Sequence, residues 1–224
     1  MLSLLEGYKV FNKACKFLAE RSDARDSHGN ISVLVRPENA SSKTMLIKPS
    51  GAEYSDDPDP VIVYFDEGGF TVSPSDNRNP SVDTVHHWYM YRNNKHLAAI
   101  CHTHSTYATA FAMARRPIEV LCTEHADYFG KWIPCLAYAD FSTWGGEVPV
   151  NSESVILLES HGLLSFGYLD SNDALYDAVK HAIVAEEIAK KTHLTLQIAG
   201  YHDSLDSEEV EKWHKRFKTV YGQK

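Results

Sequence analysis

Residues 96–112, HLAAICHTHSTYATAFA, constrain this chain more than any other segment. An apolar run from Leu97 to Cys101 delivers two histidines, His102 and His104, and a Ser/Thr-rich stretch then opens a helical pattern. That order predicts a buried strand surfacing at a histidine pair and turning into a helix. On a strand, residues i and i+2 share a face, so both imidazoles can reach one metal ion. Neutral imidazole is a good ligand for zinc or a similar divalent ion, at roughly 2.0–2.1 Å. With 12 histidines in 224 residues, an H-x-H triplet arises by chance about 0.6 times, so the spacing alone does not separate ligands from core histidines. The placement at a strand end is the stronger argument.

Length allows one substantial core, and we read residues 1–224 as a single domain. Apolar residues make up 43% and charged residues 23%, as in an ordinary globular protein. A net charge of −8 without any basic tract argues against nucleic acid as a partner. No apolar run approaches the ~20 residues of a membrane span, and the N-terminal stretch has charges spread through it and no leader pattern. The expectation is a cytoplasmic protein with no membrane partner. The four cysteines, Cys15, Cys101, Cys122 and Cys135, form no C-x-x-C pair and read as buried thiols of a reducing compartment.

Along the chain, residues 2–21 carry helical spacing, with Leu5, Tyr8, Phe11, Cys15 and Leu18 on one stripe. Residues 31–35 and 44–47 read as hairpin partners, and 61–65 and 70–72 as two further short strands around Gly68-Gly69. Short strands joined by short turns argue for antiparallel pairing. Residues 84–93 read as a helix with Val85, Trp88, Tyr89 and Arg92 on one side. Residues 117–122 and 132–138 read as strands flanking 124–130, residues 154–158 as an apolar strand, and 173–191 and 207–220 as helices.

A third candidate ligand is His161, just past the 154–158 strand and before Gly162, which lets backbone approach closely. Asp83 stands at the start of the 84–93 helix and would supply a carboxylate, although it reads equally as a helix N-cap. Three histidines and one carboxylate suit zinc, or manganese or cobalt with open positions.

Several phrases occur in order along the chain: GNIS (29–32), IKPSGAEYS (47–55), PSVDT (80–84), HTHS (102–105), HADYF (125–129), IPC (133–135), SHGLLSFG (160–167), KHAIVAEEIA (180–189) and YGQ (221–223). Together they resemble the class II aldolase/adducin-like superfamily, and within it the L-ribulose-5-phosphate 4-epimerases. The resemblance implies a three-layer α/β/α sandwich with a mainly antiparallel central sheet. It also implies a homotetramer with active sites between subunits, acting on a small sugar phosphate. It assigns His102, His104, His161 and Asp83 to a divalent metal, Zn2+ or alternatively Mn2+ or Co2+. It assigns Asn30, Lys48, Ser50, Gly51 and Ser81 to the phosphate, and Asp127 and Tyr221 to proton transfer, the tyrosine reaching in from a neighbouring subunit. The implied reaction is retro-aldol cleavage of L-ribulose 5-phosphate, rotation of the aldehyde and re-addition to give D-xylulose 5-phosphate.

The chain departs from the epimerase pattern at Val82 and Glu124, where small hydroxyl residues are usual, and in a shorter 139–151 stretch. A C-terminal site histidine aligns only loosely with His214. Two rivals remain: a sugar-phosphate aldolase of the L-fuculose-1-phosphate type, and a non-catalytic adducin-like assembly module. The aldolase branch typically carries Glu in place of Asp83, so Asp83, Asp127 and the Tyr-Gly-Gln ending favour the epimerase.

Overall fold

Ser3 and Glu6 close a reciprocal capping box that starts α1 (Leu4–Arg21), whose buried stripe is Gly7, Phe11, Ala14, Cys15 and Leu18. The computed structural model describes residues 2–22, 28–36, 43–65, 68–74, 76–137 and 154–220. Beyond α1 come strands β1 (Asn30–Val35), β2 (Lys43–Ile47), β3 (Val61–Phe65) and β4 (Phe70–Val72), with a 3-10 turn at Tyr54–Asp56. Helix α2 (Thr84–Asn93) leads into β5 (Leu97–Thr103), then α3 (Thr106–Met113) and α4 (Thr123–Phe129). The chain continues through β6 (Cys135–Leu136), β7 (Val155–Leu158), β8 (Gly162–Tyr168), α5 (Ala174–Ala199) and α6 (Ser207–Thr219).

All the described strands join one sheet in the order β4-β3-β2-β1-β5-β8-β7-β6, antiparallel throughout except for the β6–β7 pair. Strand alternation sends side chains to two separate cores. Ile31, Val33, Val35, Ala99 and Cys101 face α1, α3 and α5. Leu34, Ile100, Leu158 and Leu164 face the other way, against Trp88, Met90 and Tyr91 of α2. Each buried Val, Ile, Leu or Met among these contributes roughly 1.5–3 kcal/mol relative to exposure. A small third cluster, Val120, Ala126 and Val210, fixes α4 against α6 outside the main layers. The result is the expected helix–sheet–helix sandwich.

Three expectations need correction, and two segments left without an assignment take definite form. The two segments read as strands, 117–122 and 132–138, meet only at Ile118 and Ile133, which exchange one pair of backbone bonds of 3.0 Å each. Pro117 and Pro134 flank that bridge and have no N–H to extend a ladder, and only Cys135–Leu136 forms a strand. The segment between them is helical (α4), and the glycine-containing stretch after His161 is a seven-residue strand, β8. Helix α2 buries Thr84, His87, Trp88, Met90 and Tyr91; of the four residues read on one side, Trp88 is in the core, Val85 and Tyr89 pack partly against it, and Arg92 is exposed. Two thiols, Cys122 and Cys135, are only half-buried, whereas Cys15 and Cys101 are enclosed. Among the described residues, no helix is long and apolar enough to cross a membrane.

Candidate metal centre and active site

The edge of the central strands brings three imidazoles together. β5 alternates so that Ala99, Cys101 and Thr103 face α5 while Ile100 and His102 face α2. His104 follows the strand end, and its Nε2 lies 2.9 Å from Nε2 of His102. His161 sits in the three-residue turn between β7 and β8, where Ser160 takes a left-handed conformation (φ 56°). One ligand atom from each of His102, His104 and His161 lies within 4.8 Å of the others.

Two glycines permit this approach. A Cβ at Gly162 would stand 2.6 Å from the Thr103 carbonyl and 2.9 Å from the His104 ring, so only glycine lets β8 run beside the pair. A Cβ at Gly29 would meet the His102 carbonyl at 2.3 Å, and Gly29 has φ +72°. Gly29 therefore sets Asn30, the next residue, against the site.

The three imidazoles are held in the form a metal requires. His102 Nδ1 donates to the Leu163 carbonyl at 2.8 Å, which leaves the Nε2 lone pair facing its neighbours. Burial, then the adjacent His104 and His161, pushes the His102 pKa down to about 3. Burial likewise lowers His104 and His161, so all three are neutral near pH 7. Neutral nitrogens converging on one point fit a divalent cation, and the donor set is that of a zinc-type site.

Asp83 lies behind this cluster, sharing a small chamber wall with His102 and His161. It occupies the N-cap position of α2 but makes no side-chain capping bond. Its carboxylate instead accepts from Asn30 Nδ2 at 2.6 Å and lies 3.3 Å from His86 Nδ1. Burial opposes its charge, but those bonds and the nearby His102 and His87 hold the carboxyl well below the usual carboxylate range. The residue is therefore a fixed anion beside the triad. His86, which the sequence pattern did not single out, lies one helical turn after Asp83, and the D-x-x-H spacing was its only signal.

The expected phosphate residues form a neighbouring strip. Ser81 N donates to the Lys48 carbonyl and Ser50 N to the Asn79 carbonyl, so the Lys48–Gly51 turn and the Ser81–Asp83 run lie side by side. Lys48 is turned inward: its Nζ donates to the Ala52 carbonyl at 2.6 Å and lies 5.1 Å over the Tyr54 ring. Burial lowers its pKa. Ser50 and Gly51 line an open hollow with Arg78 and Asn79, whereas Asn30 spends its donor on Asp83. Val82 is 84% exposed and takes no part in the strip's packing. The N-terminus of α3, another natural anion site next to His104, is already filled: buried Glu186 of α5 accepts from Tyr107 N at 2.8 Å and Ala108 N at 2.7 Å. This capping carboxylate, 79 residues from its partner, left no local trace in the sequence.

Asp127 is on α4 and is not one of the three clustered residues. Its backbone carbonyl, with that of Ala126, accepts from His214 Nδ1 (2.9 and 3.1 Å), which ties α4 to α6. Burial raises its carboxyl pKa, against the pull of Arg216 and His214. His214 thus meets the Asp127 backbone rather than the triad. Glu124, one turn earlier, pairs with Lys191 of α5. Tyr221 and the 139–151 stretch lie outside the described residues.

Comparison with known proteins agrees with this geometry. A solved L-fuculose 1-phosphate aldolase superposes with a TM-score of 0.74 at 28% identity, covering 95% of this chain and 96% of that one. The L-fuculose 1-phosphate aldolase from Glaciozyma antarctica PI12 has a TM-score of 0.74 at 20% identity, over 94% of this chain and 82% of its own. YgbL from Klebsiella pneumoniae, whose description leaves aldolase, epimerase and decarboxylase open, has a TM-score of 0.70 at 20% identity, over 95% and 100%. The sequence profile of the Class II Aldolase and Adducin N-terminal domain matches residues 10–193, and the chain belongs to that family.

Proposed function

We propose that this chain is a divalent-metal-dependent L-ribulose-5-phosphate 4-epimerase, with His102, His104 and His161 as ligands and Asp83 as the carboxylate of the site. A divalent ion held there supplies Lewis-acid polarisation of the ketose carbonyl. The chain's own groups do the rest. A base takes the C4 hydroxyl proton, the C3–C4 bond breaks, and glycolaldehyde phosphate separates from a three-carbon enediolate. The aldehyde turns, C3 adds to its other face, and an acid returns a proton to the new C4 alkoxide. Asp127 and Tyr221 are the proton-handling pair in this reading, and Lys48, Ser50, Gly51 and Ser81 hold the phosphate dianion, with Lys48 swinging out from the Ala52 carbonyl. Since α4 packs on α5 and α6 while Asp83 begins α2 on the opposite layer, Asp127 would act on the site of a neighbouring copy.

The observation that carries the reading is the tethering of Asp83 by Asn30 and His86. An aldolase must protonate the enediolate carbon before release, and a proton carrier next to the ligands serves that step. A short carboxylate tied down at two sides is a standing anion. An unprotonated enediolate then re-adds to the aldehyde, which is epimerisation. The second reading, a sugar-phosphate lyase, is favoured by the 28% identity to an L-fuculose 1-phosphate aldolase.

A phosphorus NMR time course of the zinc- or manganese-loaded protein separates them. The expected result is D-xylulose 5-phosphate from L-ribulose 5-phosphate, with L-fuculose 1-phosphate untouched. Dihydroxyacetone phosphate from the second substrate alone would establish the lyase and end the epimerase reading.

A further inference from the structure

One turn beyond Asp83, on the same side of α2, His87 is buried to 1% exposure. Its Nδ1 lies 2.7 Å from Ser32 Oγ, which in turn lies 2.8 Å from the Tyr91 hydroxyl. The Tyr91 hydroxyl donates to the Ser32 carbonyl at 3.1 Å, so one side of the imidazole is locked to β1. The other side is not. His87 Nε2 is fully enclosed and has no hydrogen-bond partner among the described residues. In one tautomer this atom is an N–H donor and in the other a lone pair, and either form needs a partner when buried.

The chamber that His87 lines is bounded by Asp83, His86, His102 and His161 on its polar side and by Met90, Leu158 and Leu164 on its apolar side. Its volume is about 10 Å3, enough for one water molecule and for nothing larger. A buried water needs two to four polar partners. The walls provide them, because an unpartnered imidazole nitrogen and a carboxylate border the same space. Asp83 and His87 make no direct hydrogen bond, and a bridging molecule is the ordinary way such groups meet.

We propose that this chamber is the seat of a single internal water, bonded to His87 Nε2 and the Asp83 carboxylate, and that His87 thereby acts as a positioning residue for the metal centre. Asn30 and His86 hold Asp83 from two sides, and the water holds it from the third. The chain Tyr91–Ser32–His87–water then anchors the carboxylate to β1. This deepens the metal-centre reading above but does not depend on which sugar phosphate is turned over.

The test compares wild type with His87→Phe, which keeps the ring volume and removes both nitrogens, and His87→Gln, whose amide can bond Ser32 and the water together. A wild-type crystal structure at high resolution should place a water within hydrogen-bond distance of both His87 Nε2 and Asp83. Zinc competition against a chelator should show His87→Phe weakened by about tenfold, with His87→Gln recovering most of that loss. The visible absorption of the cobalt-substituted protein should shift in His87→Phe and return in His87→Gln. A dry chamber in the wild type would overturn the proposal, even if neither variant folds. So would folded His87→Phe with unchanged zinc affinity and cobalt spectrum. Turnover enters none of these readouts, so failure of the epimerase assignment leaves a separate signature.

Discussion

Asp83 and Asp127 are both carboxylates expected at one active site, and their surroundings differ in nearly every respect. Asp83 is tied by Asn30 and His86 beside three imidazoles, and its carboxyl is held far below the ordinary value. Asp127 is on the α4–α6 corner, and its carboxylate accepts no hydrogen bond among the described residues. Its carboxyl is raised, chiefly by burial. Two carboxyls whose environments push their pKa values apart suit two different tasks. One stays charged beside the three imidazoles, as the proposed metal site requires. The other is raised, and in the proposed reaction it takes and returns a proton. The three imidazoles and Asp83 thus come together within one chain, whereas Asp127 belongs to the α4–α6 packing.

The largest effect should come from separating these tasks. Asp127→Asn is expected to leave zinc content and affinity unchanged while turnover falls by about 10²–10⁴-fold, the range of a lost general acid or base. Asp83→Asn should do the reverse first, weakening zinc by about 10- to 100-fold in a chelator competition. If Asp127→Asn lost metal as fast as Asp83→Asn, the two regions would be one site and the contrast would fail.

A smaller effect tests how dry each region is. His87 near the metal centre and His125 in α4 are both lowered to about 4, burial being the main cause. The ordinary value is about 6.5, so between pH 6.5 and 4 the unfolded chain binds protons that the folded chain does not. Stability of the metal-free protein should therefore be full above pH 6.5 and fall as the pH drops through that window. Each histidine contributes up to about 1.4 kcal/mol per pH unit. Urea melts at several pH values should show this slope, and His125→Gln should flatten it by about one histidine's share. A slope unchanged in His125→Gln would mean that water reaches the α4 corner and that only the metal centre is sealed.

Much of this was legible in the chain itself. The H-x-H pair, His161 and Asp83 lie at strand or helix ends, where period-2 alternation and a glycine announce which side chains converge. The four N-terminal strands were readable because each pairs with the next one in the chain. What escaped notice depends on distant partners. β8 contains two glycines and a serine, and its strand character comes from lying between β5 and β7. Glu186 caps a helix 79 residues away. The burial of His87 and Tyr91 on α2 follows from their bonds to Ser32 of β1, which the apolar stripe of the helix alone does not announce. Lys48 was expected at the phosphate, but its ammonium is folded onto Ala52 and Tyr54.

The smallest expected effect concerns Glu124, whose charge stands out against the family pattern three residues before Asp127. In the sequence it adds negative charge near Asp127, the proposed proton carrier; in the structure Lys191 takes up that charge. Both side chains are about half exposed, 44% and 51%, so water and salt screen the pair strongly. Glu124→Gln should therefore change stability by no more than about 1 kcal/mol, and less in high salt. Zinc affinity should not move. Neither should KM for the sugar phosphate, if the Glu124–Lys191 pair is only surface chemistry. A clear fall in KM in Glu124→Gln would mean that the substrate dianion passes close to this carboxylate. That outcome would bring the α4 corner into the substrate's path and turn the contrast between the two acids into a distance within one site.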